Sequence, residues 1–88
     1  MFDITVRLPA SLVAPEPARD FALEATTVGD AVAQIVAREP LIAPRVLFQG
    51  RPMVSFVLNG RHLRPSEALA TGLAHGDRLE LFPPVAGG

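Results

Sequence analysis

Residues 2 to 8, Phe-Asp-Ile-Thr-Val-Arg-Leu, alternate strictly between apolar and polar side chains. Phe2, Ile4, Val6 and Leu8 fall on one face and Asp3, Thr5 and Arg7 on the other, the pattern of a half-buried strand. Pro9 lacks a ladder donor and ends that strand, and residues 10 to 19, with Pro15 and Pro17 inside, read as a surface loop. Alternation resumes over residues 20 to 25 with Phe21, Leu23 and Ala25 inward, so the first two strands are expected to form an antiparallel hairpin with a long loop. At Thr27 the period changes. Thr27-Val28-Gly29-Asp30 resembles a capping box, and Val28, Val32, Ile35 and Val36 then recur at helical spacing opposite Asp30, Gln34 and Arg38. Pro40 stops the helix near Glu39.

Residues 41 to 52 give mixed signals, with Pro44, Gly50 and Pro52 set among Leu41, Ile42, Val46, Leu47 and Phe48. Irregular structure with a short helical turn is expected there. Residues 53 to 58 are the most strand-like run in the chain, with Val54, Phe56 and Leu58 inward. Asn59-Gly60 tolerates the positive φ values of a type I′ turn, so residues 61 to 63 should fold back beside that strand. A turn at residues 65 to 69 buries Leu69 and Leu73, His75-Gly76-Asp77 makes a second turn, and residues 78 to 82 form the last strand, with Leu79 and Leu81 inward and Phe82 outward. The order is strand, strand, helix, strand, short strand, strand. A helix with one apolar stripe can cover one face of a mixed, four- to five-stranded sheet, which is the α+β arrangement called the β-grasp.

Composition narrows the functions such a domain can serve. At 88 residues and 49% hydrophobic, the chain is one folded domain burying roughly 60 to 65% of its unfolded surface. Net charge is −1 and the basic residues are scattered from Arg7 to Arg78, which argues against nucleic-acid and membrane binding. No apolar stretch reaches the roughly 20 residues of a membrane span, and the chain is expected to be cytoplasmic. Cysteine is absent, removing disulfides, thiolate nucleophiles and thiolate metal sites. Lysine is absent too, every basic side chain being arginine. A chain with an activated C-terminus gains by lacking amines that capture it, although a compositional bias toward Arg, Ala and Pro accounts for the same fact more simply.

The folded body offers no active site. Ser11, Ser55, Ser66, His62 and His75 do not sit in any nucleophile motif, and two unspaced histidines do not make a metal site. The glycines at 50, 60, 72 and 76 are turn residues, not a phosphate loop. The end of the chain is different. Residues 1 to 82 read as the domain and residues 83 to 88 as an extended, flexible tail, Pro83-Pro84-Val85-Ala86-Gly87-Gly88. Pro83 and Pro84 fix φ and favour an extended start, giving a reach of roughly 20 Å. Gly87 and Gly88 carry no Cβ, so an enzyme can close tightly around the backbone and present the Gly88 carboxylate to ATP. By itself a Gly-Gly end is also what a frayed terminus looks like.

Asn59-Gly60, then residues 73 to 77 (Leu-Ala-His-Gly-Asp), then residues 79 to 88 (Leu-Glu-Leu-Phe-Pro-Pro-Val-Ala-Gly-Gly) resemble the C-terminal half of the ubiquitin-like sulfur carriers. That family includes the small subunit of molybdopterin synthase and the carrier of thiazole formation, and in strand order the likeness spans nearly the whole chain. The resemblance implies a carrier that is a co-substrate and not an enzyme, with no bound cofactor. An adenylyltransferase like the ubiquitin-activating enzymes would use ATP to activate Gly88. A sulfur donor would convert it to a thiocarboxylate, and a synthase would accept the sulfur. The ending resembles the molybdopterin synthase subunit, whereas residues 6 to 12 and 68 to 73 are more similar to carriers that feed cysteine or other thio-metabolite synthesis, which leaves the acceptor open. Phe82, with Met53 and Val57, is expected to form an outward apolar contact for partners at the base of the tail, and Arg61 and Arg78 a polar rim. Two other roles fit the same chain: a protein modifier conjugated through Gly88, and a β-grasp interaction module whose tail is incidental.

Overall fold

The computed structural model describes residues 1 to 84. β1 (Phe2–Leu8) pairs antiparallel with β2 (Arg19–Ala25) over seven rungs, from Phe2 opposite Ala25 to Leu8 opposite Arg19. Both strands follow the alternation of their sequence: Ile4, Val6 and Leu8 are buried, as are Leu23 and Ala25, while Phe21 is half-buried. α2 (Val28–Arg38) then crosses the sheet, its cap being the Thr27 hydroxyl, which accepts the Asp30 N–H at 3.1 Å. The Asp30 carboxylate accepts in return from the N–H of Thr26, one residue before the cap. The first bond satisfies a donor that a helix start otherwise leaves open, and the second ties the residue before the cap to the helix's first turn. Val28, Ala31, Val32 and Ile35 are buried beneath the helix.

The loop expected between β1 and β2 holds a single helical turn, α1 (Ala10–Val13), which buries Leu12 and Val13. Arg45 pins it: one guanidinium nitrogen donates to the carbonyls of Leu12 and Ala14 at 3.1 and 2.8 Å. Arg45 belongs to α3 (Ala43–Val46), the short helical turn expected after Pro40. Where irregular chain was expected next, β3 (Leu47–Phe48) and β4 (Arg51–Pro52) form a small separate hairpin. Gln49 and Gly50 close it with φ of 51° and 76°, a primed-turn signature that the Gln-Gly pair announces less plainly than Asn-Gly.

β5 (Ser55–Leu58) turns into β6 (Arg61–His62) through Asn59 and Gly60, whose φ values of 50° and 83° match the turn their sequence calls for. After a 3₁₀ turn at Ala68–Ala70, β7 (Arg78–Phe82) enters between β1 and β5. It runs parallel to β1 and antiparallel to β5, giving a mixed sheet in the order β2-β1-β7-β5-β6. Leu8, Ile35, Leu79 and Leu81 are fully enclosed between sheet and helix, and burying each stabilises the fold by about 1.5–3 kcal/mol. This is the β-grasp fold.

Candidate functional site at the base of the tail

β7 holds the site. As the middle strand of the sheet it is tied on both sides, and its last residue, Phe82, is the Cα partner of Ser55 on β5. Because side chains alternate along a strand, burial of Leu79 and Leu81 sends Phe82 to the face away from the helix. Pro83 and Pro84 follow it out of the sheet. Since β1 and β7 are parallel, the chain leaving β1 at Leu8 emerges at the same end of the molecule, and α1 is built there. The result is a shallow groove of about 430 Å³ on the outer face, lined by Ser11, Ser55, His62, Phe82 and Pro83. Phe82 and Pro83 are the apolar residues of this lining and Ser11, Ser55 and His62 the polar ones.

The residues expected to serve partner docking are distributed as follows. Phe82 lies at the groove and is half-buried. Val57 faces the outer side but is only 7% exposed. It is flanked in the sheet by Glu80 on β7 and His62 on β6, so it supports the outer face from below and offers little surface to a partner. Met53 is 41% exposed, but it is not a strand residue: its N–H donates to the carbonyl of Val46 at 2.8 Å, which draws it to the base of the β3–β4 hairpin. Arg61 is exposed and pairs with Leu58, so it shares the helix side of the sheet, not the Phe82 side. Arg78 opens β7, about 13 Å from Phe82 at the usual strand rise; it is exposed, and its N–H is held by the Asn59 side chain at 2.9 Å. The two arginines therefore do not form one rim around Phe82. Pro83 lines the groove and Pro84 is exposed. Val85, Ala86, Gly87 and Gly88 lie outside the described residues.

Sequence reasoning missed His62, Ser55 and Ser11 as members of one site. They are 44 and 7 residues apart along the chain, counting 11 to 55 to 62, and only the sheet order joins them. Register was the one available signal: once Asn59-Gly60 is a two-residue turn, His62 must oppose Val57 and share its outward face. His75 stays apart at the other end of the sheet, where Nδ1 accepts the Asp3 N–H at 3.2 Å and the ring meets Phe2 edge-on.

Charge is unevenly placed along the chain. Between Glu39 and Glu67 the sequence holds Arg45, Arg51, Arg61, Arg64 and His62 and no acidic residue. This segment, which builds α3, the small hairpin, β5 and β6, carries net positive charge although the chain as a whole does not. Among the described residues, no three His, Asp or Glu side chains converge as metal ligands would, and no helix is long and apolar enough to cross a membrane.

A mixed sheet with one helix across it, ending in a middle strand that delivers Phe-Pro-Pro to the surface, defines a ubiquitin-like protein. The chain belongs to the ThiS family, whose model matches residues 8–88. It is 39% identical over 64 residues to small archaeal modifier protein 3 of Haloferax volcanii, covering 70% of each chain. It is 33% identical over 88 residues to a protein of Archaeoglobus fulgidus named "Putative sulfur carrier protein", covering 97% of this chain and 98% of that one. Among solved structures, a chain in the complex of subunits 1 and 2 of the molybdopterin-converting factor from Helicobacter pylori superposes with a TM-score of 0.65 at 25% identity, covering 99% of this chain and 100% of its own.

Proposed function

We propose that this chain is a sulfur carrier whose Gly88 carboxyl is activated by an ATP-using adenylyltransferase of the ubiquitin-activating type and converted to a thiocarboxylate that supplies sulfur to a biosynthetic synthase. The observation that carries the reading is the exit of Phe82-Pro83-Pro84 from the middle strand of the sheet. A rigid strand fixes where the tail begins, and the two prolines restrict its first step. The last six residues, 83 to 88, span roughly 20 Å when extended, enough to enter a partner's cleft while the domain stays outside.

The chemistry asks little of the carrier's own side chains. A carboxylate oxygen of Gly88 attacks the α-phosphorus of ATP and pyrophosphate leaves. Sulfide released by the donor then attacks the acyl carbon, a C–S bond forms, AMP departs and the S–H proton passes to solvent, leaving the thiocarboxylate. Adenylation supplies the leaving group, and Gly87 and Gly88 leave room for an enzyme to close on the backbone. Phe82 gives the partner an apolar anchor beside the tail. The synthase that accepts the sulfur is best supported as one resembling the molybdopterin-converting factor, through the likeness to the Helicobacter pylori complex. Cysteine or another thio-metabolite synthesis is the alternative acceptor class.

A second reading, conjugation of Gly88 to lysines of other proteins, is favoured by the similarity to a small archaeal modifier protein. Intact-mass measurement of the chain co-expressed with its adenylyltransferase and sulfur donor separates the two. Replacement of one carboxyl oxygen by sulfur is expected for the carrier, whereas covalent adducts on other proteins without the thiocarboxylate select the modifier. Deleting Gly88 removes either product.

A further inference from the structure

We propose that this chain associates head to tail with further copies of itself, the free edge of β2 in one molecule pairing antiparallel with the free edge of β6 in the next. The association is separate from any chemistry at Gly88.

Among the described residues the sheet ends on β2 at one side and on β6 at the other. The hydrogen bonds fix which backbone groups each edge leaves free. Thr5 N–H donates to the Asp77 carbonyl at 3.0 Å, and the Asp3 carbonyl accepts from Gly76 N–H at 2.8 Å. Asp3, Thr5 and Arg7 therefore turn their backbones toward the β7 side, and their partners Glu24, Ala22 and Asp20 turn theirs away from β1. The Glu24 carbonyl accepts from the Gln34 side chain at 2.6 Å, as an outward carbonyl can. Both backbone groups of Ala22 and the carbonyl of Asp20 are left facing outward. On β6, Leu63 N–H donates to the Phe56 carbonyl at 3.0 Å. Leu63 thus faces β5, and His62 before it and the N–H of Arg64 after it face outward.

The two edges carry opposite charge. Burial of Leu23 and Ala25 puts Asp20, Ala22 and Glu24 on the outer face of β2, and all three are exposed. Along the β6 edge Arg61, His62 and Arg64 are exposed. Two β2 edges joined antiparallel about Ala22 would set Asp20 against Glu24 in both halves, and two β6 edges would set arginines together, which destabilises a ladder. Unlike edges match. β6 runs with β1 and against β2, so a second molecule in the same orientation presents β6 antiparallel to β2, with both helices on one face. Ala22 opposite His62 pairs the free backbone groups and sets Asp20 opposite Arg64. One Asp20 oxygen already accepts from Arg7 at 3.2 Å, which leaves the other for Arg64. A shift of the register by two residues either sets His62 against the Glu24 carbonyl that Gln34 occupies or carries Arg64 past the start of β2.

A joint between two different edges does not close as a dimer, and the twist of the sheet rotates each added copy relative to the last. The overlap is short, which places it among weak, transient interfaces, and its ion pairs are screened by salt.

Sedimentation velocity on the full chain, from micromolar to millimolar concentration, tests this. Open-ended growth at low salt is expected, with amide shifts at residues 20 to 24 and 61 to 64 that follow concentration. Ala22→Pro and His62→Pro each remove an outward N–H, a change an edge strand tolerates. Each variant alone is expected to be monomeric, and the two mixed are expected to form a one-to-one complex that grows no further. Arg64→Glu, which alters no backbone group, is expected to raise the concentration for half-association by at least about three-fold. Circular dichroism checks that each variant is folded. A native chain that stays monomeric throughout, folded proline variants that do not pair when mixed, a dimer that Ala22→Pro abolishes but His62→Pro leaves intact, or an unchanged midpoint in Arg64→Glu would each overturn the proposal.

Discussion

Ser55 and Phe82 face each other on the last rung of the β5–β7 ladder, and this pair marks the point where the chain leaves the sheet. Everything assembled at the tail's base depends on that rung: Ser55 and His62 come to the groove through β5 and β6, and Pro83 through β7.

Phe82 is the apolar centre of that groove. Phe82→Ala is expected to weaken binding to the adenylyltransferase by about 2 kcal/mol, roughly 30-fold in Kd, while the protein stays folded. Calorimetric titration against the enzyme measures it, and a change below about two-fold would place the main contact elsewhere.

The start of β7 is held by Asp77, whose carboxylate accepts from the Ala74 N–H at 2.7 Å and from the Asn59 amide at 2.9 Å. The same Asn59 accepts the Arg78 N–H. Asp77→Ala releases both turns at once and should cost about 1–3 kcal/mol in urea unfolding, with Asp77→Asn recovering part of the loss because one oxygen acceptor remains.

Arg45 ties α3 to the carbonyls that end α1. Arg45→Ala should cost about 1.5–3 kcal/mol, as for hydrogen bonds from a charged donor, and hydrogen exchange should accelerate at residues 12 to 16 while the β1–β7 ladder keeps its protection. Because α1 supplies Ser11 to the groove, this variant also tests whether the groove's rim needs that pin.

The cap of α2 offers a cleaner control, since it is distant from the tail. Thr27→Ala removes the acceptor for Asp30 N–H and should lower stability by about 1 kcal/mol, read as a shift in urea midpoint at unchanged slope, with no effect on affinity for the adenylyltransferase.

The elements legible in the sequence are those specified over short range. Strict alternation fixed the inward faces of β1 and β2, Thr27 and Asp30 marked the helix start, and Asn59-Gly60 set the β5–β6 turn, because each depends on backbone preferences and hydrogen bonds among neighbours in the chain. The hairpin at Gln49-Gly50 escaped the same reading, since Gln at φ of 51° is a conformation its side chain does not advertise.

What the tertiary structure decided concerns which segments lie side by side. Alternation says that Val57 faces outward, but only the flanking of β5 by β7 and β6 decides that an outward side chain is nevertheless covered. Proline-rich sequence says that residues 10 to 19 leave the sheet, but burial of Leu12 and Val13 needs Arg45, more than 30 residues on, to anchor the turn. The groove of Ser11, Ser55, His62, Phe82 and Pro83 exists only because β7 inserts parallel to β1 and brings three distant segments to one end. Such pairings are chosen by the burial of whole faces against the helix, a sum over many long-range contacts that leaves no mark on any one stretch of chain. The sequence by itself carried the inward faces, the turn chemistry and the resemblance of its ending; the tertiary structure decided what surrounds the place where that ending begins.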